Sequence, residues 1–213
     1  MVSPVGLANP SSHDICAHLG KGELVSSRLP GPQPKKLTTE LAMRDGRPVE
    51  FRPVRAADAA LLIAFGSEVS PDDPRMWFFT PLKDASHFMC EIAHVDGIRR
   101  FGLIAQQHRC TPILGVAQLV IDSECNTAEF ALLIRSDLKR CGLGTALLER
   151  ITHYAHSIGL GSLTADVLRE NDAMLGLAKK FWFQVSASPA DRSMLHLSLI
   201  LRQTQAVPSR WIS

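Results

Sequence analysis

The segment from Thr127 to Leu148 constrains the fold of this chain more than any other part of the sequence. It reads TAEFALLIRSDLKRCGLGTALL, which indicates an apolar strand, a short basic turn with two glycines, and an amphipathic helix that begins near Gly142. Such a turn carries free backbone N–H groups at a helix N-terminus, where they bind anions. Gly142 and Gly144 let a phosphate approach the backbone closely. Positive charge beside the turn comes from Arg135, Lys139 and Arg140. The sequence therefore predicts a pyrophosphate-binding turn.

The rest of the sequence predicts one folded domain between two tails. The first 44 residues are rich in Ser, Pro, Gly and Lys and show no sustained apolar period. The prediction is a flexible N-terminal tail at 1–44, a domain at 45–202 and a C-terminal tail at 203–213. We expect a cytoplasmic protein, because the sequence shows neither the apolar run of ~20 residues that a membrane span needs nor a secretory signal.

Apolar periodicity within the domain predicts alternating strands and helices. A first strand near Val49–Val54 precedes three helices, two of which begin at Ser70 and Ser86. Short apolar runs separated by polar turns then indicate an antiparallel meander of three strands. The full order is β-α-α-α-β-β-β-α-β-α-β-β. The predicted fold class is α+β, with a mixed, mostly antiparallel central sheet of about seven strands flanked by helices.

Composition disfavours several other classes of function. A formal net charge of +2 is too mild to indicate a nucleic-acid partner. The five cysteines are an odd number and form no C-x-x-C pair, which disfavours both a disulfide framework and a metal site. We therefore expect reduced thiols, no metal, and neither nucleic acid nor membrane as a partner.

Three classes of ligand could use the basic turn. A P-loop nucleotide site needs Lys and then Ser or Thr after its last glycine, but Gly144 is followed by Thr145. A dinucleotide fingerprint needs a third glycine, which is missing. The turn instead resembles the acetyl-CoA pyrophosphate signature of the GNAT N-acetyltransferase superfamily, a Gln or Arg, two residues, and then G-x-G or G-x-A. Lys139 stands at the Gln or Arg position, and Gly142 and Gly144 match.

The resemblance extends from about Gly46 to about Leu201. The segments RPVRAADAALL, SPDDPRMWFFTPL, AEFALLIRSDLKRCGLGTALLERI and ADVLRENDAMLGLAKKFWF together resemble the acetyltransferase domain of bacterial Pat-type protein lysine acetyltransferases. The resemblance implies a GNAT fold and acetyl-CoA as the co-substrate. It also implies a protein substrate with an exposed lysine.

The resemblance also implies roles for individual residues. Acetyl transfer needs a neutral amine, and at neutral pH only about one lysine in 10³ is unprotonated. Glu129, in the A-E-F-A context, corresponds to the proposed base that takes the proton. Backbone N–H groups of Ala131, Leu132 and Leu133 would polarise the acetyl carbonyl. Asn171 would bond the pantetheine arm or simply cap its helix. The pyrophosphate would lie on Lys139, Arg140, Cys141, Gly142, Leu143, Gly144 and Thr145.

Three positions depart from the family pattern. Many GNAT enzymes carry a tyrosine in the second of these helices as the acid for the leaving thiolate, and that position holds Ala178. The single tyrosine, Tyr154, lies on an apolar helix face and is expected in the core. Trp182 stands where glycine is usual, at a helix end where tryptophan adopts the left-handed conformation only at a cost. Trp77 stands where a cation is expected, which predicts altered substrate contacts.

These observations predict an acetyl-CoA-dependent N-acetyltransferase that acts on a protein lysine by direct attack in a ternary complex. One alternative is a GNAT enzyme that acetylates a small-molecule or N-terminal amine. The other is a catalytically weak acyl-CoA-binding regulatory module, which Trp182 and Trp77 would favour.

Overall fold

Eight strands form one sheet with helices on both faces in the computed structural model, which describes residues 38–42, 46–69, 89, 92–96, 98–107, 112–189 and 191–201. The strands are β1 Thr39–Ala42, β2 Pro48–Pro53, β3 Arg100–Gln106, β4 Ile113–Asp122, β5 Thr127–Ile134, β6 Ser162–Leu168, β7 Gln184–Ala187 and β8 Met194–Ile200. The α-helices are α1 Ala59–Ser67, α2 Leu143–Ser157 and α3 Asp172–Lys180. Short 3-10 turns lie at Ala56–Asp58 and Ser136–Leu138.

The predicted α+β class and the mostly antiparallel sheet are confirmed. The strands lie in the order β1-β2-β3-β4-β5-β6-β8-β7, and within this sheet β5 and β6 form the parallel pair. The predicted helix starts at Ser70 and Ser86 and the residue Trp77 lie outside the described residues, as do 1–37 and 202–213. Within the described residues, no helix is long and apolar enough to cross a membrane.

Each face of the sheet has its own apolar core. In β4 every residue from Ile113 to Leu119 is buried, which is expected for a central strand covered on both sides. Val116 belongs to the core beneath α1, whereas the next residue, Ala117, belongs to the core beneath α2 and α3. The predicted apolar face of α2 is buried as expected. Tyr154 on that face stacks on Phe101, with 3.7 Å between ring centroids, so its predicted place in the core is confirmed.

The N-terminal boundary of the domain differs from the predicted one. Residues Thr39–Ala42 form strand β1, which pairs antiparallel with β2, so the sheet has eight strands and begins inside the segment predicted as a tail. Arg150 of α2 helps to hold this strand, because its guanidinium donates to Thr39 Oγ1 over 3.0 Å and lies 3.8 Å from the centre of the Phe51 ring. A four-residue exposed edge strand has no apolar alternation, which is why the sequence did not reveal it.

The expectation that all cysteines are reduced is wrong at Cys125, which is disulfide-bonded. Sequence spacing does not report the distance between two cysteines in the fold, and that distance decides whether they can pair. Cys141, in the basic turn, is a free thiol.

Trp182 ends helix α3 in a left-handed backbone conformation. Its φ is +64°, the Trp182 N–H donates to Lys179 O over 3.2 Å, and the Phe183 N–H donates to Ala178 O over 3.0 Å. These two bonds define a Schellman motif, whose left-handed position is usually occupied by glycine. Phe183 and Ala178 are buried, while Trp182 is 86% exposed. The turn that usually carries glycine is therefore formed with tryptophan at its left-handed position, and the indole ring projects into solvent.

The conformation of Trp182 predicts that Trp182→Gly stabilises the protein. A residue with a Cβ costs roughly 1–2 kcal/mol in the left-handed region, so we expect a gain of about 1 kcal/mol in the free energy of unfolding after the entropy of glycine is counted. Urea titration measures the gain as a higher midpoint at an unchanged slope. Trp182→Ala is the matched control, since it removes the ring and keeps the Cβ. Equal stability of the two variants would contradict this explanation.

Candidate active site

Strands β5 and β6 are paired for only part of their length. Their parallel register pairs Thr127 with Ser162, Ala128 with Leu163 and Glu129 with Thr164. Beyond these residues β5 stays paired with β4 up to Ile134, and β6 stays paired with β8 up to Leu168. The two strands therefore separate after Glu129. We call the space bordered by residues 130–134 of β5 and 165–168 of β6 the β5–β6 gap.

Backbone alternation identifies the amide of β5 that faces the gap. The Arg135 N–H donates to the carbonyl oxygen of the β4 residue Leu114 over 3.0 Å, so it points away from β6. Successive residues of a strand direct their N–H groups to opposite sides, so the amides of Leu133 and Ala131 also point to β4. The amide of Leu132 points into the gap. Of the three predicted oxyanion-stabilising residues, Leu132 is the one whose N–H has this direction.

The basic turn has the geometry that its sequence predicts. After the 3-10 turn the backbone adopts positive φ twice, at Arg140 (+64°) and at Gly142 (+92°). Helix α2 then begins at Leu143, and its first backbone bond runs from the Ala146 N–H to Gly142 O over 3.1 Å. The N–H groups of residues 143–145 precede this bond, so the helix gives them no acceptor. They form, with the helix dipole, an anion-binding N-terminus.

The two glycines of the turn serve different purposes. The backbone conformation at position 142 requires glycine, because a φ of +92° is unfavourable for residues with a Cβ. Gly144 is helical, and a Cβ built on it would meet only Leu177 Cδ2 at 3.7 Å, which is ordinary contact. The folded chain therefore does not itself require glycine at position 144. The missing side chain leaves the backbone open to an approaching ligand.

The charges beside the turn differ from the prediction at two residues. Arg135 donates to both carboxylate oxygens of Asp137, over 2.7 and 2.9 Å, and this ion pair raises the pKa of Arg135. Its charge is therefore matched by Asp137, while Lys139 and Arg140 are exposed. Lys180, at the end of α3, was missed by the sequence analysis. Its Nζ lies 3.5 Å from Thr145 Oγ1, because α3 packs beside the start of α2.

Asn171 is the N-cap of α3. Its Oδ1 accepts the Met174 N–H over 3.0 Å. The capping role is therefore confirmed, and the amide group of the same side chain also carries a nitrogen donor. The position expected to hold a tyrosine acid is Ala178, which is buried beneath Phe183. Burial raises the pKa of Tyr154 to about 12, in keeping with a core side chain.

Glu129 is the last residue of β5 that is paired with β6, so it marks the point where the gap opens. The residue is exposed, but enough protein surrounds its carboxyl group that desolvation raises its pKa. The negative charge of Asp166 raises this pKa further, and His196 opposes the rise. Neither Asp166 nor His196 was singled out from the sequence. The alternation of side chains along a strand could have revealed Asp166, because it places Asp166 on the same face of β6 as Thr164, the partner of Glu129.

Comparison with known proteins identifies the family. Residues 49–184 match the acetyltransferase (GNAT) domain model, and the chain belongs to this family. The GNAT domain of S. lividans PAT is 23% identical, with a TM-score of 0.72 over 80% of this chain and 100% of that one. A cAMP-binding acyltransferase from Mycobacterium smegmatis is 18% identical, with a TM-score of 0.55 over 82% of this chain and 51% of that one. The ribosomal-protein-S18-alanine N-acetyltransferase from Escherichia coli is 15% identical, with a TM-score of 0.55 over 75% and 97%.

The chain is thus a GNAT N-acetyltransferase domain, and the family uses acyl-CoA. Within the described residues, no group of three or more His, Cys, Asp or Glu side chains is arranged to hold a metal ion.

The different purposes of the two glycines predict opposite effects on stability. Gly142→Ala should lower the free energy of unfolding by about 1 kcal/mol, because alanine is strained at this positive φ. Gly144→Ala should raise it by about 0.5–1 kcal/mol, because alanine is the better helix former and the site has room. Urea unfolding of both variants measures the effects. A loss of stability in Gly144→Ala would show that this glycine has a structural role.

Proposed function

We propose that this protein transfers the acetyl group of acetyl-CoA to a lysine side chain of a protein substrate, by direct attack in a ternary complex. The observation that carries the proposal is the place of Glu129. It is the last residue of β5 paired with β6 before the two strands separate, and it lies on the strand that leads to the basic turn. A carboxylate and an anion-binding turn on one strand allow the reacting end and the phosphate end of a single extended co-substrate to be held together.

Acetyl-CoA would lie in the β5–β6 gap with its pyrophosphate on the turn. The donors would be the backbone N–H groups at the start of α2, with Lys139, Arg140 and Lys180 supplying charge and Thr145 a hydroxyl. The amide nitrogen of Asn171 would bond the pantetheine arm. The Leu132 N–H, which points into the gap, would polarise the acetyl carbonyl and stabilise the oxyanion formed on attack. Cys141 and Leu143 would contribute through their backbones.

Glu129 would act as the base toward the attacking amine. A lysine ammonium has a pKa near 10.4, so a proton must leave before nitrogen can attack the thioester. The raised pKa of Glu129, caused by desolvation and by the charge of Asp166, makes it a stronger base than an ordinary glutamate. The leaving group is a CoA thiolate, which is stable enough to depart without a tyrosine acid at the position of Ala178.

The proposal that the substrate is a protein lysine rests on the resemblance to Pat-type domains. The similarity in fold to the S. lividans GNAT domain supports it. The likeness to an enzyme named for the alanine of ribosomal protein S18 keeps an N-terminal amine as an alternative, together with small-molecule amines. A weak regulatory module remains the other alternative, although Trp182, one of the two residues behind it, is 86% exposed and retains the turn at the end of α3. The cytoplasmic location that the sequence suggests would place acetyl-CoA and protein lysines within reach.

Glu129→Gln should lower kcat by about 100-fold or more and leave the affinity for acetyl-CoA unchanged, because the amide cannot accept the proton. In the wild type, kcat/KM should fall as the pH drops through the raised pKa of Glu129, where the carboxylate becomes protonated. Release of free CoA thiol, followed across pH, measures both effects. Unchanged turnover in Glu129→Gln would eliminate Glu129 as the base.

Gly144→Glu should weaken acetyl-CoA binding by about 10-fold or more, because its carboxylate would lie where the pyrophosphate would contact the backbone and would repel it. Calorimetric titration measures the affinity, and urea unfolding of the same variant excludes unfolding as the cause, since an acidic residue is favourable in the first turn of a helix. Gly144→Ala should bind with near wild-type affinity, because the signature accepts alanine at this position. Gly176→Glu on α3, where a side chain also has room, is the matched control. Wild-type affinity in Gly144→Glu would contradict the proposed pyrophosphate position.

The substrate class is tested by comparing acceptors. A lysine-containing protein extract, peptides with a free N-terminus but no lysine, and small amines would each be assayed for thiol release with acetyl-CoA. Preferred turnover of the extract, with acetyl-lysine detected by mass spectrometry, is the expected result. Turnover of the other amines alone would favour the second enzyme function, and binding of acetyl-CoA without turnover would favour the regulatory module.

A further inference from the structure

A strip of polar side chains continues from Glu129 across the neighbouring strands. Glu129 of β5 pairs with Thr164 of β6, and Asp166, two residues further along β6, pairs with His196 of β8. Because alternate residues of a strand share a face, all four lie on one face of the sheet. The opposite face of the same strands is apolar and buried in the core beneath α2 and α3, with Leu163, Ala165 and Leu197 as members. The polar strip is therefore the outward face of this half of the sheet.

Asp166 and His196 form a direct pair within this strip. The His196 Nδ1 and the Asp166 Oδ1 are 3.1 Å apart, and the two side chains are only 19% and 18% exposed. A neutral imidazole that donates from Nδ1 to a carboxylate has its lone pair at Nε2. No partner for this Nε2 is found among the residues that the structure describes. The pair thus combines a carboxylate that fixes the ring with a ring nitrogen that can accept a proton.

We propose that His196, oriented by Asp166, receives the proton that the acceptor amine gives up, by way of Glu129 or a water beside it, and releases it to solvent. This inference rests on the proposed acetyl transfer. The ammonium N–H bond breaks and an O–H bond forms on Glu129. That O–H bond then breaks as a water beside Glu129 takes the proton and gives up one of its own to Nε2, so Glu129 is again a carboxylate and His196 is an imidazolium. Loss of this proton to water restores the site.

The difference in proton affinity between a carboxylate and an imidazole explains why the proton would pass to His196. The reference pKa of glutamate is about 4.3 and that of histidine about 6.5, so an imidazole lies closer to the ammonium value of about 10.4. The hydrogen bond to Asp166 raises the pKa of His196 first of all, and the negative charges of Asp166 and Glu129 add to the rise. A proton that leaves the amine is therefore held more favourably by His196 than by an ordinary carboxylate, and the transfer is less uphill.

His196 has one neighbouring strand on each side, and the charged groups near it can be named for both. β6 presents Asp166, and Glu129 of β5 lies beyond it. On the other side β7 presents Ser186, which does not titrate near neutral pH. Thus Asp166 and Glu129 are the groups of the described residues that set the titration of His196. Asp166 positions the ring, and His196 acts through Glu129, so both are positioning residues.

His196→Gln tests the relay by its effect on turnover. We expect kcat to fall about 10-fold with unchanged acetyl-CoA affinity. The acid limb of the kcat/KM profile, which Glu129 sets, should move to higher pH, because loss of the imidazolium raises the pKa of Glu129. The matched control is His153→Gln, which removes an exposed histidine of α2 and should leave the rate and the profile unchanged. A wild-type kcat and an unmoved acid limb in His196→Gln, measured in an active protein, would overturn the proposal.

NMR titration tests the pair independently of turnover. Asp166→Asn should lower the pKa of the His196 imidazole, and His196→Gln should raise the pKa of the Glu129 carboxyl, since the positive imidazolium lowers it in the wild type. Acetyl-CoA binding without turnover of any amine by the wild type would refute the proposed function. In that case an unchanged Glu129 pKa in His196→Gln would refute the coupling as well, and a raised one would support it.

Discussion

The separation of β5 and β6 after Glu129 and Thr164 is the feature on which the rest of the site depends. Each strand keeps its other neighbour, β4 or β8, so the sheet remains stable although the pairing between the two ends. Backbone groups that a sheet would normally bond internally are left facing the gap, and an extended ligand can bond them instead. A continuous β5–β6 ladder would bury the Leu132 amide and leave no room for a co-substrate between the strands.

The helices hold this opening in place. Helix α2 lies on the same face as α3, and their packing brings Leu177 and Lys180 beside the first turn of α2. The large core beneath them fixes where the helix N-terminus points, while the Schellman turn at Trp182 returns the chain to β7. The N-terminus of α2 is thus positioned by apolar packing, and the strand that carries Glu129 by its ladder to β4. In the proposed function, binding and chemistry would rely on different parts of the fold.

The sequence predicted elements whose signals are local. The strand, turn and helix between Thr127 and Leu148 were predictable because apolar period, glycine conformation and helix start agree there. Strand β1 was not predictable, since its four residues gain order only by pairing with β2. The Asp137 partner of Arg135, the Lys180 contact and the Asp166–His196 pair were also missed. Lys180 and His196 meet partners about 30 or more residues away in the chain, and the local sequence carries no signal of such contacts. Thus the backbone of the basic turn was predictable, and the electrostatics around Glu129 were not.

The central claim is that acetyl-CoA occupies the β5–β6 gap with its pyrophosphate on the turn before α2. Amide hydrogen exchange on the full chain, with and without acetyl-CoA, tests this most directly, because it reports individual backbone N–H groups. We predict that exchange slows at Leu132 and at Gly142 through Thr145 when acetyl-CoA is bound. Binding that leaves these amides unprotected and slows exchange elsewhere would contradict the account.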